Sequence, residues 1–304
     1  MIVVAGEALI DLAPRDGLLA PLPGGSPYNV AVGLGRLGVA TGFLGPLSDD
    51  GFGRRLAAGL AAEEVGLDLA PRTAAPTTLA VVHLDDEGRA SYGFYLEATS
   101  AAGLAEDQLP SLPSGSALHV SLGAVTLDTV PAGAALAQLI AASHERCTVS
   151  LDPNVRPAVI ADVAAYAARL EPVVAHTDLV KVSDEDLAVL YAERDPVDIA
   201  RAWAATGPAL VVVTRGPDGA LAVDARGERA RVDGEVVEVV DTVGAGDAFT
   251  AGLLAWLHDR GRLERGALDR LEDDEVAAAL RHAAHVAALT CTRAGADPPR
   301  AGEL

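Results

Sequence analysis

The stretch Asp241-Thr242-Val243-Gly244-Ala245-Gly246-Asp247-Ala248-Phe249-Thr250-Ala251-Gly252-Leu253-Leu254 decides how this chain is read. A Gly-Ala-Gly turn leads into an apolar helix, expected over 247–258, that begins with the carboxylate Asp247. Small residues let the backbone approach a ligand closely, and the free amides of a helix's first turn point outward as anion donors. A lone carboxylate beside such a cradle is repelled by the anion that binds there. The arrangement makes chemical sense if Asp247 takes a proton from a hydroxyl while the turn holds developing phosphate charge. Read alone, the stretch also fits an ordinary helix start, where acids suit the positive end of the dipole.

Working outward, 304 residues suffice for one large or two small domains with a substantial core. The net charge of −20 disfavours nonspecific binding to nucleic acid or to an anionic membrane. A phosphorylated ligand must then be held locally, by backbone amides, a cation, or one or two basic side chains. Cys147 and Cys291 fit neither a disulfide framework nor a metal spacing, which points to a reducing cytoplasm. The start, Met-Ile-Val-Val-Ala-Gly-Glu, reads as a strand rather than a signal peptide, and no apolar run approaches membrane-spanning length. Lys181 is the single lysine, and Asn29 and Asn154 are the two asparagines.

Short β-branched runs alternate with alanine-rich helical stretches. Strands are expected at 2–5, 79–84, 91–95, 117–121, 147–151, 179–182, 209–213, 220–223 and 236–240. Helices are expected at 27–37, 52–65, 129–143, 161–175, 184–191, 197–205, 247–258 and 274–290. From about residue 117 onward strand and helix alternate, which implies a parallel sheet covered on both faces. Residues 12–23 differ: Pro14, Pro21 and Pro23 make them loop-prone. Residues 72–100 hold two strands around the turn Asp85-Asp86-Glu87-Gly88, suited to a small antiparallel sheet over the site.

Further polar stretches fall at element ends. Pro23-Gly24-Gly25-Ser26-Pro27-Tyr28-Asn29 opens a helix, with Ser26 as the expected N-cap and Pro27 at the first helical position. Its glycines admit a ligand, and Asn29 offers a donor and an acceptor; a plain Gly-rich turn fits as well. Asp11 follows the first strand and can accept two hydroxyl hydrogens, or can be a solvated loop acid. Asp152-Pro153-Asn154-Val155-Arg156 leaves a buried-type strand, at the sheet edge where ligands of open parallel sheets collect. Lys181-Val182-Ser183-Asp184-Glu185-Asp186 ends another strand, with Ser183 as a cap. Its acids can act through Mg²⁺-bound water or serve as first-turn helix acids. Thr214-Arg215-Gly216-Pro217-Asp218-Gly219 reads as a turn between strands. A P-loop is absent, and Phe249 stands where a dinucleotide fingerprint needs a small residue.

In this order the stretches resemble the ribokinase-like sugar kinases, the PfkB carbohydrate kinase family. Gly24-Gly25-Ser26-Pro27-Tyr28-Asn29, continued by Gly33, Gly35 and Gly38, is similar to the family's N-terminal signature, and Asp241 to Phe249 to its C-terminal one. The resemblance implies an α/β class, ribokinase-like three-layer α/β/α sandwich with a mostly parallel central sheet and a β-sheet lid. It implies one kinase domain over 1–304, with lid segments at about 12–23 and 72–100. It also implies ATP with Mg²⁺ and K⁺, a small-molecule sugar as partner, and a homodimer through the uncovered lid edge. Asp247 is then the base, with the amides of Gly244, Ala245 and Gly246 as anion hole. Asp11, Gly24, Gly25, Asn29, Tyr95, Asn154 and Arg156 would bind sugar, and Lys181, Ser183, Thr214, Gly216 and Gly219 would line the nucleotide. Asp186 or Glu185 would act on Mg²⁺ through water; Asp241, Val243, Thr290, Arg293 and Gly295 would hold K⁺. The family often has Asn-x-x-Glu where this chain reads Ser183-Asp184-Glu185-Asp186, and Asp186 is one methylene shorter.

The segments Gly6 to Leu12 and Asp152 to Arg156 resemble fructokinases and 2-keto-3-deoxygluconate kinases. A sugar acid needs a cation for its carboxylate. Phe94-Tyr95-Leu96-Glu97 places an acid near the lid instead, which favours a neutral ketohexose, fructose, with Arg89 and Arg156 as the available carboxylate partners. A nucleoside kinase and a catalytically silent sugar-binding regulator are the alternatives; an intact Asp247 argues against the latter.

Overall fold

The computed structural model describes residues 1–15, 17–84 and 90–304. Among them, an eight-stranded sheet runs in the order Gly227–Val232, Ala220–Asp224, Leu210–Thr214, Leu179–Ser183, Val149–Asp152, Ala117–Ser121, Ile2–Ala5, Thr41–Leu44. Every pairing from Thr41–Leu44 across to Leu210–Thr214 is parallel, and the last two are antiparallel hairpin pairings. Strands covered on both faces favour apolar residues. Ile2–Ala5 and residues 210–213 are apolar throughout, whereas the strands between them also bury His119, Ser150 and Lys181.

The side-chain alternation splits the core in two. Ile2 and Val4 pack with helices Ser26–Arg36, Gly51–Ala62, Ala245–Asp259 and Asp273–Cys291. Val3 and Ala5 pack on the other face with helices Ala132–Ser143, Val163–Val174, Asp184–Leu190 and Pro196–Ala204. The three-layer α/β/α sandwich is thus present, and the eight expected helices all form within a few residues of their expected bounds. Among the described residues, no helix is long and apolar enough to cross a membrane.

The lid is a separate four-stranded sheet, in the order Leu18–Gly24, Leu9–Arg15, Leu79–Leu84, Ala90–Tyr95. The expected loop at 12–23 is therefore corrected to two paired strands. Its prolines are tolerated because Pro21 and Pro23 lie on the edge strand. Pro14 lies beyond Ile10–Leu12, the part of its strand that also pairs with Leu79–Leu84. The turn at 85–88 and Arg89 lie outside the described residues.

The expected strand at 236–240 is also corrected: this segment is irregular, and Val236 is 100% exposed. Its valine pairs, on either side of Glu238, find no partner strand among the described residues. The chain instead runs to the C-terminal end of helix Asp273–Cys291, where the Val240 amide donates to the Cys291 carbonyl at 2.8 Å. Strand Thr41–Leu44 is short and tucked beside Ile2–Ala5, a placement no local pattern announces.

Candidate active site

Two glycines bring the signature helices together. A Cβ on Gly33 would lie 2.7 Å from the Ala251 Cβ, so helices Ser26–Arg36 and Ala245–Asp259 cross at contact distance there. Gly244 caps the second helix in the left-handed region, at φ 77°. The crossing sets the start of the first helix against the start of the second. Asp247 is held on both oxygens: Ser26 Oγ donates to Oδ1 at 2.6 Å and Asn29 Nδ2 to Oδ2 at 2.8 Å. Burial pushes the Asp247 carboxyl up from its ordinary value, and the two donors pull it back; Asp152 raises it and Lys181 lowers it.

Ser26 corrects an expectation. The N-cap of its helix is Gly25, at φ 98°, and no side chain caps it. The Ser26 hydroxyl is instead committed to Asp247 and to Ser121 Oγ, also at 2.6 Å. Serine at this point does tertiary work that the local sequence disguises as capping.

The turn before Asp247 supplies donors unevenly. The Ala245 amide donates to the Thr242 carbonyl at 3.2 Å, a long bond. Gly246 marks a close approach of another kind. A Cβ there would meet Lys181 Nζ at 3.2 Å, so the ammonium lies directly beneath the helix start.

Lys181 is closed in. Its Nζ pairs with Asp152 Oδ2 at 3.0 Å, and the two side chains are 7% and 1% exposed. Burial works against the charged lysine, but Asp152 and Asp186 outweigh it and raise its pKa. The lysine expected along a nucleotide therefore sits under the site rather than on its open wall. Asp186 is also buried, and its Oδ1 accepts from the Val155 amide at 3.1 Å. Burial and then Asp152 push its carboxyl up, while Lys181 pulls it down. Glu185 is exposed. The donor chemistry at Asp186 suits a water-mediated Mg²⁺ contact, since one oxygen is already engaged. Among the described residues, no cluster of three His, Cys, Asp or Glu side chains could grip a metal directly.

Of the residues expected to bind sugar, Asp11 lies within the lid strand Leu9–Arg15 and Asn154 just beyond strand Val149–Asp152. Asp11 lies so close to Gly24 that a Cβ there would be 2.0 Å from Asp11 Oδ2. Burial and then Asp247 raise the Asp11 carboxyl to about 6, with Arg156 opposing. Asn154 holds φ 41°, is buried, and among the described residues its Nδ2 has no hydrogen-bond partner. A buried amide donor without a partner is a place for a ligand oxygen.

The lid corrects two further points. Phe94 packs against Leu9, Ala80 and Ala124, and the Tyr92 ring stacks on it with centroids 6.1 Å apart. Tyr92 shares the strand face of Phe94 and is 41% exposed; burial raises the pKa of its hydroxyl, with Asp11 adding and Arg156 opposing. Tyr95 falls on the opposite face of the strand and is 62% exposed. Glu97 is exposed in the turn beyond it.

The expected cation loops do meet. Asp241 Oδ2 accepts from the Gly295 amide at 2.8 Å and Oδ1 from the Val243 amide at 3.0 Å. Thr290 and Arg293 flank this junction at the end of helix Asp273–Cys291, where the Arg293 amide donates to the Thr290 carbonyl. An oxygen donor such as the Asp241 carboxylate suits a hard cation. Ser183 and Thr214 are register partners on adjacent strand ends, and Gly216 and Gly219 bound the short turn after them, both at positive φ.

Sequence reasoning missed Glu7, Ser121 and Tyr92. Glu7 is fully inside, accepting from the Ala124 amide at 3.1 Å and the Val125 amide at 3.4 Å. A charged residue between the apolar runs Ile2–Ala5 and Ala8–Ile10 was the available signal.

Residues 1–301 match the family described as pfkB family carbohydrate kinase. A fructokinase from Rhizobium leguminosarum bv. trifolii is 40% identical over 263 residues, 84% of this chain and 79% of that protein. A fructokinase double mutant from Vibrio cholerae O395, solved with fructose, ADP and potassium ion bound, superposes with a TM-score of 0.84. It is 30% identical, over 97% of this chain and 93% of that one. An aminoimidazole riboside kinase from Salmonella enterica, complexed with aminoimidazole riboside and an ATP analog, gives 0.82 at 26% identity. That match covers 97% of this chain and 94% of the other.

Proposed function

This chain belongs to the pfkB family of carbohydrate kinases, and from that premise we propose that it is a fructokinase using ATP. As a member it is a phosphotransferase with an alcohol acceptor. The proposal rests above all on Asp247, whose oxygens are pinned by Ser26 and Asn29 at the start of a glycine-capped helix.

In this reading Asp247 takes the proton of the terminal hydroxyl of fructose. The hydroxyl oxygen bonds to the γ-phosphorus, the bridging P–O bond breaks, and ADP leaves with the bonding pair. The amides of Gly244 and Gly246 would face the charge on the transferring group, joined by that of Ala245 once it leaves its long bond to the Thr242 carbonyl, with the helix dipole behind them. Asp11 accepts from sugar hydroxyls, Asn29 and Asn154 donate, Gly24 and Gly25 admit the ring, and Tyr92 covers it from the lid. Ser183, Thr214, Gly216 and Gly219 line the nucleotide, and Lys181 offsets the acids below it. Mg²⁺, when bound, supplies charge neutralisation on the phosphates, with Asp186 rather than exposed Glu185 as its nearer water-mediated partner. Asp241, Val243, Thr290, Arg293 and Gly295 would hold K⁺ at the junction of the two loops.

A neutral sugar is favoured by charge. Arg156 is balanced by Glu7, Asp11 and Asp186, the three acids whose pKa values it lowers. Arg156 also supports the second reading, a 2-keto-3-deoxygluconate kinase, because it is a cation facing the pocket.

Residues 1–304 are taken as one kinase domain, acting in the cytoplasm, where the free thiols of Cys147 and Cys291 are at home. Leu18, Leu19 and Leu22 lie exposed on the lid's edge strand and support a homodimer formed there.

The test is coupled ADP release over fructose, ribose, 2-keto-3-deoxygluconate and adenosine, with and without K⁺. Turnover highest with fructose is expected. Faster turnover with the sugar acid would replace this reading with the second, and sugar binding without turnover would indicate a silent regulator.

A further inference from the structure

Ser26 Oγ lies 2.6 Å from two oxygens, Ser121 Oγ and Asp247 Oδ1. A hydroxyl has one proton to donate and an ionised carboxylate only accepts. With Asp247 ionised, the Ser26 proton points at it, and the Ser26 oxygen accepts the Ser121 proton in preference to the Leu122 carbonyl, which lies farther from Ser121 Oγ, at 3.3 Å. The direction of both bonds is fixed by the charge at one end.

We propose that Ser121 and Ser26 form an ordered two-hydroxyl chain that orients Asp247 and stabilises its ionised form, which makes both serines positioning residues. The proposal rests on the reading of Asp247 as the base. Ser121 ends the fully buried strand Ala117–Ser121, so the chain is anchored in the central sheet rather than in a loop. The contact is tight around it. A Cβ on Gly6 would come 2.4 Å from Pro27 Cγ and 2.6 Å from the Ser121 carbonyl, which leaves the helix start no room to retreat. Bonds to a charged acceptor strengthen when their donor is itself polarised by a second bond.

The chain works against other charges. Asp152, from strand Val149–Asp152, and Asp11, from the lid, face Asp247 and disfavour its ionisation. Lys181, from strand Leu179–Ser183, and Asn29 favour it, together with Ser26. Ser26 is a donor on Oδ1, while Asn29 serves Oδ2. Its loss is not covered by the other.

The test compares kcat, KM for fructose and the pH dependence of kcat in Ser26→Ala, Ser121→Ala and the double variant. Ser26→Ala should lose roughly tenfold or more in kcat, as expected for one hydrogen bond to a charged group. Its acid limb should move to higher pH, with KM for fructose nearly unchanged. Ser121→Ala should move both readouts the same way by less, and should add nothing in the Ser26→Ala background, because it acts through Ser26. Ser26→Thr, which keeps the hydroxyl, should restore the acid limb. If Ser26→Ala does not fold, the limb of Ser121→Ala decides alone. An unmoved acid limb, or fully additive losses in the double variant, would overturn the proposal. Asp247→Asn separates the two ideas. Wild-type turnover in that variant sinks the base itself, whereas a dead Asp247→Asn beside an unmoved serine limb sinks only the chain.

Discussion

Lys181 Nζ lies 3.0 Å from Asp152 Oδ2, and this pair, almost closed to solvent, forms the floor beneath Gly246 and Asp247. The single lysine of a chain with net charge −20 is thus spent where three carboxylates, Asp152, Asp186 and Asp247, lie within its field. Taking away either partner would leave the other charged and buried.

Lys181→Met should therefore destabilise the protein by about 3–5 kcal/mol, the usual loss when one member of a buried ion pair is removed. The double variant Lys181→Met with Asp152→Asn should recover part of that, since the direct partner of Lys181 is then no longer charged and unpaired, while Asp186 and Asp247 still lack the cation. Urea unfolding of the four proteins checks this. Additive losses would mean the pair is not coupled.

Asp247→Asn keeps the shape and the acceptor on one side but cannot take a proton. Turnover should fall by about 10²–10⁴, the range for losing a general base. Fructose binding measured by calorimetry should persist, because the residues proposed to bind it, Asp11, Asn29 and Asn154, are unchanged. Near-normal turnover would dismiss Asp247 as the base.

Gly24→Ala puts a methyl 2.0 Å from Asp11 Oδ2, so the carboxylate must swing away. KM for fructose should rise by roughly 10-fold or more, the value of hydrogen bonds to a charged group, while KM for ATP stays close to wild type. Steady-state kinetics with each substrate varied in turn would show it. An equal rise in both would mean a general distortion.

Glu7 carries a pH signature. Burial raises its carboxyl from 4.5 to about 7, with the Ala124 and Val125 amides opposing. Between those values the folded state holds more protons than the unfolded chain, so Glu7 makes stability fall as pH rises through that window. The total is on the order of 3 kcal/mol. Glu7→Gln removes this titration, and its stability curve should be flatter from about pH 4.5 to about 7. Denaturant melts of both proteins across that range provide the check; parallel curves would refute it.

The fold was largely legible because its signals are local. The eight helices carry amphipathic faces and caps such as Ser183, whose hydroxyl meets the Asp186 amide at 3.0 Å. The missed strands depend on partners. Leu9–Arg15 and Leu18–Gly24 read as loop because of their prolines, yet they pair along their whole length at the edge of the lid. The valines at 236–240 read as a strand, yet no strand lies beside them. Tyr95 and Tyr92 differ by face alone, and a strand's face is set by what it packs on.

What the sequence determined by itself is the chemistry at 241–247: a glycine that can turn left-handed, backbone amides at a helix start, and an acid on the first helical turn. These follow from backbone conformation within a few residues. The tertiary structure decided what that acid is worth. Ser26 reaches Asp247 across 221 residues of chain and Ser121 reaches Ser26 across 95. Lys181 reaches Asp152 across 29. Orientation and charge balance at a carboxylate are sums over everything packed around it, and such neighbours are chosen by folding, not by spacing.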